Sequence, residues 1–551
     1  MNPIRKPAWM PRVFAAVLLA QAAYAYVGSR ACAPCHQEIY TRYRRTGMGR
    51  SMTLAADVPL PNSVAVRNAT LQREFRVYRR DGHLFQSESQ PGVFENEREV
   101  AYAIGSGENG TSFAVRRGSY LFQAPLSFYA RTGTWDLSPG FEGADEGFNR
   151  PIAEACIVCH SGVPRPVPGR DGLFLDPPFA ELAIGCENCH GPGEAHIAAR
   201  TRGAGQLPDP AIVNPARLEP RLAEDICMRC HQGGDARVLL PGRQYGDFRP
   251  GAPLLKTVAI FALPSDLRDG DLLQHHEAMK LSRCYRAGGG KLSCLTCHDP
   301  HQQPDAAGAP AFFRARCLRC HTESSCRISL ATRRNNAVPD NCIGCHMPKR
   351  DVARISHSAL TNHRIPANPR APSALPAPRE DLPGLVLVDA SRGAPPLPLV
   401  TRLSAYGELM DRDPSLGPRY LELLDEAARS FPDDPLVLAA LGRKALAEGS
   451  PEAIALLARA EQKGAPGAAT YIDLGQALAQ AGRLSESAAV LSRGERLFPY
   501  SSAIRKHLIL AYIRSKSFAE ARQSLERYVA DFPEDSFMRG LLDQVRPPAA
   551  R

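Results

Sequence analysis

Seven copies of Cys-x-x-Cys-His run through the first two thirds of the chain: Cys32/Cys35/His36, Cys156/Cys159/His160, Cys186/Cys189/His190, Cys227/Cys230/His231, Cys294/Cys297/His298, Cys317/Cys320/His321 and Cys342/Cys345/His346. The spacing names a chemistry. Two thiols add across the vinyl groups of one haem, and the histidine that follows turns its imidazole onto the iron as proximal ligand. The copies use fourteen of the sixteen cysteines. Composition alone would place about 0.01 such motifs in a chain of this length. Zinc ribbons also carry CxxC pairs, but they do not repeatedly put His at the next position. Seven covalently attached haems c are therefore the expected cofactor.

The second axial ligand decides whether a haem only transfers electrons or also binds substrate. Eight histidines lie outside the motifs. His507 reads as a surface residue of the C-terminal part, and His83 lies beside an expected hairpin turn. The distal candidates are His196, His275, His276, His301, His357 and His363, all among the haem motifs. His301 is too close in sequence to His298 to reach the other face of the same haem easily, so it should serve a neighbour; His196 stands in the same relation to His190. Of the adjacent His275 and His276, whose side chains diverge, one is expected to bind. At least one iron then lacks a histidine. Met48, with Met52 nearby, is a candidate thioether ligand at the first site, against a bland role packing the haem edge or core. An open iron is the third possibility, and only that one would make the protein an enzyme by itself. Cys284 and Cys326 are left over; an exported pair is expected to form a disulfide, with free thiols or thiolate ligation as alternatives.

The elements that must position these groups follow from pattern. Arg5, Lys6 and Arg12 precede an apolar run from Val13 to Ala20 and then Ala23-Tyr24-Ala25, which reads as a cleaved Sec signal peptide over 1–25. The run is well short of the ~20 residues of a membrane span. Periplasmic or extracellular localisation is expected. The formal charge of +10 loses three basic groups with that peptide. Fourteen propionates and seven ferric centres would bring the oxidised holoprotein to about zero, so the basic residues read as counter-charges to propionates and nucleic acid is excluded as a partner.

A heptahaem domain over 26–365 is expected to carry little regular structure, with the porphyrins as its core. Glu74-Phe75-Arg76-Val77-Tyr78 alternates, Asp81-Gly82 supplies a turn and Leu84-Phe85 resumes the run, so a small β-rich insertion is placed at about 64–130. Residues 366–400, dense in Pro and Ala, read as a semi-rigid linker. Beyond it Pro432, Pro466, Pro499 and Pro533 recur every 33 or 34 residues, with Leu441, Leu474 and Leu508 and with Ala453, Ser487 and Ala521 in step. Residues 401–545 are read as tetratricopeptide-like (TPR) helix pairs, a solenoid whose default role is binding protein. The fold class expected is mainly α.

Trp135-Asp136-Leu137-Ser138-Pro139-Gly140, Cys186 to Gly193 with its Cys-His-Gly-Pro-Gly, Cys294 to His301, and Cys342 to Lys349 carry a family resemblance. The region 28–364 resembles bacterial multihaem cytochromes c with a TPR tail, distantly similar to the nitrifier tetrahaem cytochrome and the hydroxylamine oxidoreductase group. The resemblance implies closely stacked haems forming an electron wire, with His196, His301, His357 and His363 similar in position to distal ligands. The Cys-x-x-Cys-Lys site of pentahaem nitrite reductases is absent, which argues against that activity. Two functions follow as expectations. One is an exported electron-transfer cytochrome whose repeats dock redox partner proteins or an envelope complex. The other is an oxidoreductase acting on a small nitrogen or sulfur compound at an under-ligated haem.

Overall fold

The computed structural model describes residues 26–545 apart from 61–62, 142–145, 204–208, 210, 264–274, 290, 337, 352–358, 369–383 and 389–395. The expected signal peptide, His357 and most of the expected linker lie outside the described residues.

The N-terminal part is dominated by one antiparallel sheet of ten strands: β1 (Met52–Leu54), β2 (Ser63–Asn68), β3 (Arg73–Arg80), β4 (His83–Gln90), β5 (Phe94–Ile104), β6 (Gly110–Arg117), β7 (Tyr120–Gln123), β8 (Leu126–Tyr129), β9 (Thr134–Leu137) and β10 (Arg150–Pro151). The strand order is β10-β7-β6-β5-β4-β3-β2, with β1 on β5 and the β8–β9 hairpin on β6. At the β3–β4 turn Arg80 pairs with His83. Asp81 and Gly82 both have positive φ, as a two-residue I′ turn requires.

This sheet overturns the expected mainly α fold with a small insertion: the chain is about 45% helix and 18% strand. The reason is burial on both faces. Phe75, Val77, Phe113, Val115 and Phe122 point into one core, whereas Tyr102, Ala114 and Leu121 point into a second with Met52 and Phe174. A strand buried on both sides has no apolar–polar alternation to read, so only β3 and β4 announced themselves.

Two short strands, β11 (Pro164–Pro166) and β12 (Phe174–Phe179), pair with each other. Next comes a second antiparallel sheet built from β13 (Ala236–Leu239) and β14 (Val258–Ala262). After a two-stranded ladder of β15 (Lys349–Asp351) and β16 (Ala359–Thr361), the second sheet is completed by β17 (Val386–Leu387) on β14. β17 lies inside the stretch read as a linker.

The C-terminal part is an array of antiparallel helices: Leu399–Leu409, Gly417–Ser430, Pro435–Ala447, Glu452–Gln462, Ala469–Gln480, Leu484–Leu497, Ser502–Arg514, Phe518–Asp531 and Ser536–Val545. Pro432, Pro466, Pro499 and Pro533 each stand three residues before a helix start. Gly442 and Gly475 sit at equivalent points of successive units, where an added Cβ would meet Leu457 Cγ at 2.5 Å and Leu491 Cγ at 2.6 Å. Close helix approach is what these glycines permit.

The array is tied to both sheets. Its first two helices share a core with β13 and β14 through Leu403, Tyr406, Leu409, Leu423 and Phe261. Near its other end Tyr500 packs edge-on against Phe122 and Tyr120, each at 5.0 Å. There Asn149 Nδ2 donates to Asp531 O and Glu534 Oε1, both at 3.0 Å, and Arg73 donates to Glu534 O at 3.3 Å. Among the described residues no helix is long and apolar enough to cross a membrane.

Candidate functional site

Most of the seven motifs are carried on short helical turns. Three are isolated turns, Glu187–His190, Cys294–Cys297 and Cys342–His346; two close longer helices, Pro220–His231 and Ala309–Cys317. One turn brings the i and i+3 thiols to one side. The histidine N–H donates back to the first cysteine's carbonyl in the third, fifth and sixth motifs, at 3.0, 2.9 and 3.0 Å. The first motif breaks its own helix, with His36 at φ −122°, ψ 38°. The second lies between the two sheets: Ile157 packs into the core shared with β1, β5 and β7, whereas Val158 and Cys159 pack with Val258 and Ile260 of β14.

The motif thiols differ in exposure. Cys35, Cys320 and Cys345, the second thiols of the first, sixth and seventh motifs, are exposed, as is Cys156, whereas the other ten are partly buried. The sixth and seventh motifs fall in a stretch whose described residues bury no apolar side chain. Exposure of this kind leaves a thiol within reach of a vinyl group. No disulfide joins any of the sixteen cysteines, so the expected Cys284–Cys326 disulfide is not formed. Cys284 lies instead against His321, its Sγ 3.9 Å from Nε2, while Cys326 is within electrostatic reach of Arg333 and Cys342.

Four imidazole pairs are brought together. His36 faces His196 with ring centroids 6.3 Å apart and planes at 19°. His190 faces His301 at 5.9 Å and 12°. His298 faces His363 at 6.2 Å and 30°, and His231 faces His275 at 5.9 Å and 34°. Each pair joins one motif histidine to one histidine from outside the motifs. Two rings on opposite sides of an iron, with bonds of about 2 Å and about 1.2 Å from nitrogen to ring centre, would have centroids about 6.4 Å apart. His275 and His363 also touch each other, at 4.2 Å.

Hydrogen bonds at Nδ1 orient several of these rings. His190 is bonded to Val213 O at 2.8 Å, His363 to Thr361 O at 2.9 Å, His346 to Pro366 O at 2.8 Å and His196 to Asp209 Oδ2 at 2.7 Å. A proton held on Nδ1 by such an acceptor leaves the Nε2 lone pair available for a metal. Burial, reinforced by neighbouring imidazoles, pushes His275 down to about 3 and His298 down to about 4. Burial likewise lowers His160, His190, His231 and His363. These rings are neutral at pH 7, the form that ligates.

Other candidates lie elsewhere. His276 is buried, its Nε2 2.8 Å from Glu224 Oε2, and is not among the paired rings. Met48 lies in the 3₁₀ turn Met48–Arg50, and the ring facing His36 is that of His196. Met52 fills the sheet core. His83 pairs with Glu99 on the exposed sheet at 2.6 Å, and His507 lies in helix Ser502–Arg514.

The motifs adjoin one another. Cys32 lies beside Cys186, Cys159 beside Cys230, and Cys227 beside Cys294, each pair close enough to shift the other's titration. These contacts bring Cys186 and Cys159 each down to about 7 and raise Cys32, Cys230 and Cys294. Cys159 and Cys189 share one apolar cluster. Cys317 is pushed up to about 11, chiefly by burial and then by its neighbours Cys342 and Cys297. The adjacency therefore runs from the first motif through the third, second, fourth, fifth and sixth to the seventh.

Whether a haem suits these residues can be tested on packing. Between Cys284 and Pro366 the described residues bury no apolar side chain. That segment carries three motifs, and its only buried residue is polar, Asp340, bonded to Arg314 and to Arg333. A segment without an apolar core has little to offset its ordering entropy, and a porphyrin at each motif supplies the missing surface. Among the described residues no cluster of three or more His, Cys, Asp or Glu could hold a bare metal ion. Paired imidazoles leave the four equatorial positions to a macrocycle. The residues fit haem.

Neither a protein-family model nor a curated protein matches the chain. Among solved structures, the outer cell wall cytochrome OcwA aligns over 89% of this chain and 99% of its own at 15% identity and a TM-score of 0.39. A thermophilic TPR protein of Thermus thermophilus aligns over 27% of this chain and 90% of its own, at 20% identity and 0.20. The Cut9-Hcn1 hetero-tetramer of APC/C aligns over 27% of this chain and 30% of its own, at 22% identity and 0.24. The chain is thus similar in part to a cytochrome and to TPR proteins. At these scores the functional reading rests on the chain's own residues.

Proposed function

We propose that the chain is an exported heptahaem c-type cytochrome that relays electrons along adjoining haems and docks a protein partner through its helical array. The carrying observation is the set of four imidazole pairs at 5.9–6.3 Å, each joining a motif histidine to a histidine outside the motifs. Haem, when attached, supplies a one-electron ferric/ferrous couple. The chain's part is to hold four of the irons between two oriented imidazoles, to exclude water by burial, and to set the spacing between neighbouring sites. In this reading His196 serves the first site, His301 the third, His275 the fourth and His363 the fifth. Arg229, Arg237, Arg316 and Arg319, whose charges reach the motif thiols, would balance propionates.

The test is low-temperature EPR of the oxidised, full-length holoprotein together with a pyridine haemochrome count. Seven haems, at least four of them low-spin with paired imidazoles, are expected; fewer than four such species would refute the assignment of the pairs. A second reading, oxidoreductase chemistry on a small nitrogen or sulfur compound, draws on His160, His321 and His346, which face no second imidazole among the described residues. A high-spin ferric signal that shifts on adding nitrite, hydroxylamine or sulfite would favour it.

A further inference from the structure

We infer that Cys284 is the second axial ligand of the iron held at Cys317/Cys320/His321, giving one haem thiolate and imidazole ligands; this rests on the haem-relay reading above. Cys284 Sγ lies 3.9 Å from His321 Nε2, and Nε2 is the ring nitrogen left available at His190, His196 and His363, whose Nδ1 atoms are hydrogen-bonded. An iron between the two atoms needs about 2.0 Å to nitrogen and about 2.3 Å to sulfur, about 4.3 Å in all. The His190–His301 pair falls short of its own ligated span by the same few tenths of an ångström.

The surroundings agree. Cys284 takes no part in a motif or a disulfide, and no imidazole pairs with His321 among the described residues. Its helix, Arg283–Ala287, is capped by buried Ser282, whose Oγ accepts from Tyr285 N at 3.1 Å. The thiol is therefore presented from a fixed backbone rather than a free loop. Its charge, when ionised, would reach both Cys297 and Cys317, which places it between the fifth and sixth motifs.

On ligation the thiol proton passes to solvent and sulfur donates a lone pair to ferric iron; no electron changes hands in that step. An anionic ligand favours ferric over ferrous iron, so this site becomes the one hardest to reduce, and electrons crossing from the fifth site to the seventh meet a step. The neutral imidazole pairs have no such bias.

The experiment compares the full-length holoprotein with Cys284→Ala, Cys284→His and Cys326→Ala. Haem is counted by pyridine haemochrome and intact mass. Spin state is read by EPR and near-infrared magnetic circular dichroism, and midpoint potentials by redox titration. The parent should show one thiolate/imidazole low-spin species. Cys284→Ala should convert it to high-spin at unchanged haem count and raise one midpoint potential. Cys284→His should restore a low-spin species of the paired-imidazole type, and Cys326→Ala should change nothing. Seven haems with no thiolate/imidazole species in the parent, or an unchanged low-spin count in Cys284→Ala, overturns the inference while leaving the relay standing. The parent spectrum decides alone should a variant fail to accumulate. A preparation whose mass shows no haem overturns both.

Discussion

The segment from Cys284 to Pro366 and the helical array from Leu399 to Val545 are built on opposite principles. The array fills its interior with its own side chains: Leu457, Leu474 and Leu478 in one layer, Leu491, Ile504 and Leu508 in the next, Leu525, Tyr528 and Met538 in the last. The motif segment has no such layer and holds itself by ions. Arg333 reaches Asp340 at 2.7 Å and Glu323 at 2.9 Å, and Arg314 binds the same two carboxylates. Partly exposed ion pairs contribute little to stability. The array is held by its own apolar layers, whereas the motif segment, in the proposed reading, needs its covalent cofactor as well.

The largest break in this comparison comes from removing the cofactor. With all fourteen motif cysteines changed to Ser, residues 284–366 should lose protection in hydrogen exchange and be cut rapidly by protease, while 399–545 stays protected. Protection of the motif segment without haem would mean that it folds on its own contacts. Next in size, His301→Ala or His196→Ala should each leave seven haems attached and turn one low-spin ferric signal high-spin, leaving the array's unfolding transition in place. Conversely, Leu457→Ala should destabilise the array by about 2–5 kcal/mol in denaturant unfolding followed by circular dichroism, with the haem spectrum unchanged.

A smaller effect sharpens the boundary. Asn149→Ala removes two hydrogen bonds between sheet and array, one buried and one partly buried, and should cost about 1–3 kcal/mol. If sheet and array form one cooperative unit, calorimetry of this variant should show one shifted transition rather than two. At the bottom of the scale, Arg483→Ala deletes an exposed ion pair with Glu486 and should leave the melting temperature where it was.

Legibility in the sequence follows the same division. The cofactor motifs are local, five residues each, and need no fold to be recognised. How deeply each sits is another matter, and nothing in a pentapeptide separates exposed Cys35, Cys320 and Cys345 from partly buried Cys189. The 33- and 34-residue period is local too, since each proline marks the approach to a helix. The pairing of imidazoles is not local: His36 meets His196 across 160 residues, and no spacing rule connects them. The closeness of His301 to His298 directs it to a neighbouring site without saying which; its ring lies against His190. His276, alike with His275 in sequence, is drawn to Glu224 instead, a choice made by tertiary burial. Most of the large sheet escaped because β6 and β7 are apolar on both faces, and a run such as Tyr120-Leu121-Phe122 carries no period.

The fastening of the array at both ends has a mechanical consequence. Its first helices are cemented to the β13–β14–β17 sheet and its far turns to the ten-stranded sheet, and the second Cys-x-x-Cys-His motif is wedged between those sheets. The array is thus a strut spanning the two sheets. In the proposed relay, a ligand that bends a superhelix clamped this way would strain the gap between its footings, and because tunnelling rates fall exponentially with distance, a fraction of an ångström of flexure would tune conduction.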